Sequence, residues 1–160
     1  FVAPLIKKEL RPVWISNEFA RQHTHVLRSN EHAILVGHRT WQLDHPKLSA
    51  YRWNENTPQI VVLGGEKPKR QDIVWLSSKD YHTPEQVTAK LYELEIQSVL
   101  VEGGPETLQR FIDANLWDEC FCYKSKNSWN EGLPGPIIKT SLTPIGSFQD
   151  NVLYHGKNQI

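Results

Sequence analysis

Glu102 occupies an unusual place. It ends the apolar run Val99-Leu100-Val101, and Gly103, Gly104 and Pro105 follow it directly. A carboxylate where a buried strand opens into a turn is partly desolvated, and such an acid can hold or deliver a proton near neutral pH. The plainer alternative is a carboxylate that caps backbone N–H groups of its own turn. Gly103 and Gly104 let the backbone approach a ligand with no side chain between them. Pro105 presets the first turn of a helix, whose unpaired N–H groups suit a phosphate. The same glycines also suit an ordinary tight turn. Glu106 favours the helix dipole but would repel an anion unless it turned aside. The stretch does not carry G-x-G-x-x-G, so that fingerprint assigns nothing here.

Other candidates have plain readings of their own. Asp44, in "TWQLDHP", fits an Asx turn before Pro46. Thr40 fits an ordinary cap and Trp14 a core position. Arg28 fits a solvated helix end that complements the dipole. The seven histidines do not cluster, and His23 and His25, two apart on a helix, point to different faces. No H-E-x-x-H, no C-x-x-C and no serine nucleophile elbow occurs, so neither a metal site nor a covalent nucleophile is expected.

The elements that must position these residues follow from pattern. "NEFARQHTHVLRS" reads as a helix after an N-cap at Ser16, with Phe19, Val26 and Leu27 at roughly helical spacing. "HAILVG", "QIVVLGG" and "DIVWLSS" read as buried strands, and 38 to 46 as a turn or short helix that Pro46 stops. Thr83 to Gln86 form a capping box with proline at the first helical position, and Val87, Leu91 and Leu94 follow at helical spacing. Strand 98 to 102, helix 105 to 116 and strand 117 to 123 come next. After Lys124 the pattern weakens into "KSKNSWNEGLPGP", with further strands near 145 to 149 and 151 to 155.

Strands alternating with helices mean an α/β sheet, parallel at least in its centre. Such sheets place ligand sites outside the carboxyl ends of their strands. "GHRTWQLDHP", "LGGEKPKR" and "EGGPET" all fall at such ends.

The 160 residues suit one domain with a sizeable core. Lys plus Arg equal Asp plus Glu at 18 each, which argues against nucleic acid as the main partner. Cys120 and Cys122 are too few for a disulfide framework; they read as two buried thiols in a reducing, cytoplasmic compartment. No apolar run approaches a membrane span, and no signal peptide opens the chain. The sequence holds no methionine. It is therefore expected to be a fragment or a processed product.

In this order the pieces resemble a known family. "WISNEFARQHTHVLRSNEHAILVGHRTWQLDHPKLSAY" followed by "VLVEGGPETLQRFIDANLWDE" is similar to the reductase domain of the bifunctional riboflavin biosynthesis deaminase-reductase, over residues 14 to 124. The resemblance implies a dihydrofolate reductase-like α/β fold, with a mixed, mainly parallel central sheet flanked by helices. It implies that NADPH reduces 5-amino-6-(5-phosphoribosylamino)uracil to its ribitylamino form. It also implies a homodimer, and a deaminase domain elsewhere in the full-length chain.

The resemblance assigns residues as well. Glu102 would contact the substrate, and Asp44 would lie near the reaction centre, so these two carry the expected catalysis. Trp14, Thr40, Asp44 and Gly64 match cofactor positions, as do Gly104, Pro105, Glu106, Thr107 and Leu108. Arg28, Leu48 and Arg52 match substrate positions, with Arg28 suited to a ribose 5-phosphate. Basic Arg39, Lys67, Lys69 and Arg70 favour NADPH over NADH. The sequence departs from the family pattern at Pro12, Tyr51, Leu63 and Gly64, where a serine, an arginine, an acid and a polar residue are usual. The alternatives are an enzyme of the same fold acting on another pterin or pyrimidine, and a non-catalytic domain.

Overall fold

A computed structural model describes residues 16–44, 46–48, 50, 57–127 and 134–159. Pro12, Trp14, Tyr51 and Arg52 lie outside the described residues.

Helix α1 (Glu18–Ser29) is capped by Asn17, whose side-chain oxygen accepts from the Ala20 N–H at 3.0 Å. The expected cap, Ser16, is one residue too early. Asn17 also donates through its side-chain amide to Asp150 Oδ1 at 2.7 Å, a tertiary bond that serine could not reach. The expected apolar stripe is not the buried one either. Phe19 is 48% exposed, and the helix instead buries Ala20 and Ser29.

The central sheet holds β1 (Ala33–Gly37), β2 (Gln59–Leu63), β3 (Ile73–Leu76) and β4 (Val99–Gly103), in the order β3-β2-β1-β4. All its pairings are parallel. Such a sheet is covered on both faces, which is why β1 is buried at every position. One face gathers Ala33, Leu35, Val61 and Leu76 against Val87 and Leu91 of α3 (Pro84–Glu93) and Phe111 of α4 (Pro105–Asp113). The other gathers Ile34, Val36, Ile60 and Val62 against Leu48 and against Trp41 of α2 (His38–Asp44).

The capping box of α3 is complete. Thr83 Oγ1 accepts from the Gln86 N–H at 3.4 Å, and Gln86 Oε1 accepts from the Thr83 N–H at 3.1 Å, an arrangement worth about 1 kcal/mol. Leu94, expected on the apolar stripe, is 42% exposed because it forms the C-cap, where the chain already leaves the helix.

The chain then changes character. Strands β5 (Glu119–Ser125), β6 (Thr143–Phe148) and β7 (Asn151–Lys157) form a second, antiparallel sheet in the order β5-β7-β6. Among the described residues the central sheet is therefore wholly parallel rather than mixed, because the antiparallel strands pair with one another in a sheet of their own. Cys120 and Cys122 lie on β5 as free thiols, half-buried rather than buried. Burial nonetheless pushes the Cys120 thiol above its ordinary range. Among the described residues no helix is long and apolar enough to cross a membrane.

Candidate active site at the switch between the first and fourth strands

The chain leaves β1 for β2 and β3 on one side, then returns to β4 on the other side of β1. The order therefore reverses between β1 and β4. Outside the carboxyl ends of those two strands lies the crevice where such sheets hold ligands. Helix α2 starts from β1 there, and α4 starts from β4.

The two junctions interlock through small residues. A Cβ on Gly37 would lie 2.5 Å from Thr107 Oγ1, and a Cβ on Gly104 would lie 2.9 Å from Thr40 Oγ1. Each junction thus lends a glycine to the other's threonine. The signal is visible in the sequence as a repeated quartet, Gly37-His38-Arg39-Thr40 and Gly104-Pro105-Glu106-Thr107, though pattern alone gave Gly37 no role. The end of β2 joins the same contact. Gly65, at φ +63°, lies beneath the His38 side chain, whose atoms stand 2.6 Å from where its Cβ would be.

Gly103 differs from these. Its φ of +133° is hostile to any L side chain, and nothing lies within 4 Å of where a Cβ would stand. The residue is nevertheless buried, so a missing side chain keeps open a small space beside the start of α4. Gly104 is the N-cap of α4 and offers no side chain to its free N–H groups. These features fit an anionic, dinucleotide-like group laid across the turn. Thr40 and Thr107 are half-buried at the junction, Pro105 and Leu108 half-buried in the first turn, and Glu106 exposed.

Glu102 sits on an irregularity at the carboxyl end of β4. Val101 pairs with Leu35 and Gly103 pairs with Val36, so Glu102 is an extra residue on β4 with no partner across the ladder. A bulge of this kind re-aims a side chain beside a site. Its carboxylate meets Arg28, near the end of α1. Arg28 Nε donates to Glu102 Oε1 and Arg28 Nη2 to Glu102 Oε2, both at 2.6 Å. The two side chains are 11% and 12% exposed. Arg28 is therefore not the solvated helix end that its position suggests, because the bulge brings a carboxylate within reach of its fork. With both oxygens accepting, Glu102 has no proton to give in this arrangement.

A second polar contact lies nearby. His23 Nδ1 and the Tyr123 hydroxyl are 2.5 Å apart, bridging α1 and β5. Burial lowers the His23 pKa. Burial raises that of Tyr123, opposed by a hydrogen bond with Thr24 and reinforced by the charge of Glu102. Both partners are thus held neutral, and Tyr123 stands within the field of the ion pair. Spacing along α1 did not single out His23, because its partner comes from a strand 100 residues away.

The remaining candidates are placed less directly. Asp44 is the last, exposed residue of α2. Leu48 is 3% exposed and packs with Ile34, Val36, Ile60 and Val62, so its side chain belongs to the core. It adopts φ +48°, uncommon for a branched residue. Gly64, at φ +84°, donates its N–H to the Leu76 carbonyl at 2.8 Å. Its carbonyl accepts from Trp75 Nε1 at 3.0 Å. Among the basic residues, Arg39, Lys67 and Lys69 are exposed. Arg70 is engaged by both oxygens of Asp72 and lies 5.7 Å from the centre of the Trp41 ring.

Residues 8–125 match the family described as the RibD C-terminal domain. The riboflavin biosynthesis protein RibD of Corynebacterium ammoniagenes is 30% identical over 129 residues, covering 75% of this chain and 38% of that protein. The protein of the same name from Aquifex aeolicus is 29% identical over 150 residues, covering 75% and 42%. Among solved structures, the chain is similar to the diaminohydroxyphosphoribosylaminopyrimidine deaminase/5-amino-6-(5-phosphoribosylamino)uracil reductase of Thermotoga maritima. The TM-score is 0.78 at 22% identity, over 98% of this chain and 52% of that one. It is also similar to the riboflavin biosynthesis reductase Rib7 of Saccharomyces cerevisiae, with a TM-score of 0.62 at 16% identity, over 94% and 84%. At these identities the structural likeness concerns the fold. The chain spans about two fifths of the length of the curated relatives it matches.

Proposed function

We propose that this chain, which belongs to the RibD C-terminal domain family, reduces 5-amino-6-(5-phosphoribosylamino)uracil to the ribitylamino product with NADPH. The observation that carries this reading is the pairing of a glycine-lined double junction, suited to a dinucleotide, with the Arg28–Glu102 pair beside it. The reading extends to a homodimer in the cytoplasm, with a deaminase domain in the full-length protein.

The residues that would hold the dinucleotide are Gly104, Pro105, Thr107 and Leu108 at the start of α4 and Thr40 on α2, with Gly64 just past β2 and Asp44 at the end of α2. When bound, the nicotinamide supplies the hydride that the ribose C1′ takes up. The chain's own task is the proton. The C1′–O4′ bond must break with its electron pair going to O4′, and O4′ must gain a proton as the exocyclic nitrogen forms a double bond to C1′. One proton and one hydride are consumed in all. In this reading Glu102 supplies that proton once its carboxyl is released from Arg28, and Arg28 is the cation suited to the 5-phosphate.

The test is direct. The protein is mixed with NADPH and the phosphoribosylaminouracil, and loss of reduced nicotinamide is followed with chromatography of the product. A ribitylamino product in step with NADPH loss supports the reading. NADPH binding without turnover favours a domain that has kept the fold and lost the chemistry.

A further inference from the structure

The Arg28–Glu102 pair raises a difficulty for the proposed chemistry. Each residue is wanted by a different part of the substrate, yet each is taken up by the other. The fork of Arg28 is turned to the carboxylate through two 2.6 Å bonds, with both side chains nearly buried. A phosphate arriving at Arg28 brings negative charge beside Glu102 where solvent screens little. A carboxylate that stays in place cannot donate a proton.

We infer that the pair is a latch opened by anion binding: a phosphate taken up by Arg28 displaces Glu102, which is then free to protonate the ribose ring oxygen. The inference rests on the reductase reading for its substrate. Three observations support it. Glu102 is the bulge residue of β4, so no directly opposed residue on β1 confines its side chain. Gly103 follows at φ +133° with open space where a Cβ would be, so the turn beyond Glu102 is not packed shut. Arg28 projects from α1, an element separate from the sheet, so the two charges are held together by their own bonds rather than by shared backbone.

The substrate's geometry suits the exchange. Only O5′, C5′ and C4′ stand between the phosphorus and O4′. A phosphate on Arg28 therefore leaves the ring oxygen close to the displaced carboxyl. Glu102, once released, takes a proton from solvent and passes it to O4′ as the C1′–O4′ bond breaks. It returns as a carboxylate and pairs again with Arg28 when the phosphorylated product leaves. The protein then withholds its acid from sugars that lack the phosphate.

The experiment uses the dephosphorylated substrate, 5-amino-6-ribosylaminouracil, with saturating NADPH, with and without phosphite dianion. The latch requires that phosphite raise kcat several-fold, saturably, even when the dephosphorylated substrate is saturating. A phosphate group that only adds binding energy leaves that kcat unmoved, and this result would overturn the latch. Arg28→Gln should turn over the dephosphorylated substrate several-fold faster than wild type without phosphite, and should not respond to it. A folded Arg28→Gln protein that is no faster than wild type also overturns the latch.

Failure of the reductase reading looks different, since wild type then reduces neither form of the substrate. In that case calorimetric titration with ribose 5-phosphate still decides. Glu102→Gln, which removes the competing charge, should bind it several-fold more tightly than wild type. Equal affinities contradict the latch.

Discussion

Gly37 and Thr107 meet so closely that a Cβ on the glycine would stand 2.5 Å from the threonine Oγ1. They come from the ends of different strands, and their contact fixes how α4 leaves the sheet beside α2. Gly37→Ala should therefore force the threonine or the helix aside, at about 1–3 kcal/mol by analogy with overpacked cores. Thr107→Ala in the same chain should restore part of that loss. Urea denaturation of the two single variants and the double variant measures the coupling, and strictly additive losses contradict the packing described.

The ion pair calls for a similar cycle. Removing one partner of a nearly buried pair leaves the other charge uncompensated, at about 3–5 kcal/mol. Arg28→Met and Glu102→Gln should each destabilise by something of that order. The double variant should be less destabilised than the sum of the two. Independent effects would mean that the two charges are satisfied by other groups.

Much of this was legible in the sequence, for identifiable reasons. Strands such as "AILVG" and "IVVL" are continuous apolar runs because both faces of a parallel sheet are covered, and they need no neighbour to be recognised. The Thr83 capping box is local and was read complete. Long-range features were not legible in that way. Asn17 replaces Ser16 as the cap because of bonds to residues more than 130 positions away. Arg28 looked solvated because nothing in its own helix shows a bulge on β4. Glu102 was conspicuous by its place, yet its partner was not. The repeated G-x-x-T quartet was present in the sequence, but only the strand order shows that its two copies meet.

His23 should make stability depend on pH. Burial lowers its pKa below the ordinary 6.5. The unfolded chain therefore takes up a proton before the folded one as pH falls, so stability is full above 6.5 and declines below it. His23→Gln, which can still bond the Tyr123 hydroxyl, removes this contribution. Urea midpoints compared between about pH 7.5 and about pH 5.5 should fall less for the variant than for wild type. Equal slopes would show that the contact tolerates a charged ring.

Cofactor preference should be for NADPH over NADH. All four of the basic residues expected to act are exposed. Arg39, Lys67 and Lys69 are candidates for a 2′-phosphate, and so is Arg70, whose pair with Asp72 is a surface pair that an incoming phosphate can replace. One charge-assisted hydrogen bond there is worth about 1.5–3 kcal/mol. Tryptophan fluorescence titration should give a weaker NADPH affinity for the Arg39→Ala, Lys67→Ala, Lys69→Ala, Arg70→Ala quadruple variant, with NADH affinity little changed. Equal dissociation constants for the two cofactors in the wild-type protein would contradict the preference.

The role given to Glu102 is the centre of the account, and its isosteric amide tests it most directly. Glu102→Gln keeps the shape at the bulge but loses the acid. With 5-amino-6-(5-phosphoribosylamino)uracil and saturating NADPH, turnover should fall by roughly 10²-fold or more, the usual scale for a general acid–base group, while NADPH affinity changes little. Asp44→Asn should act non-additively with it if the two share the proton work. The decisive measurement is kcat of wild type and Glu102→Gln across about pH 5 to 9. The account predicts a large loss at every pH in a protein that still folds and binds NADPH. Normal turnover across that range would contradict it and reduce Glu102 to a partner that merely neutralises Arg28.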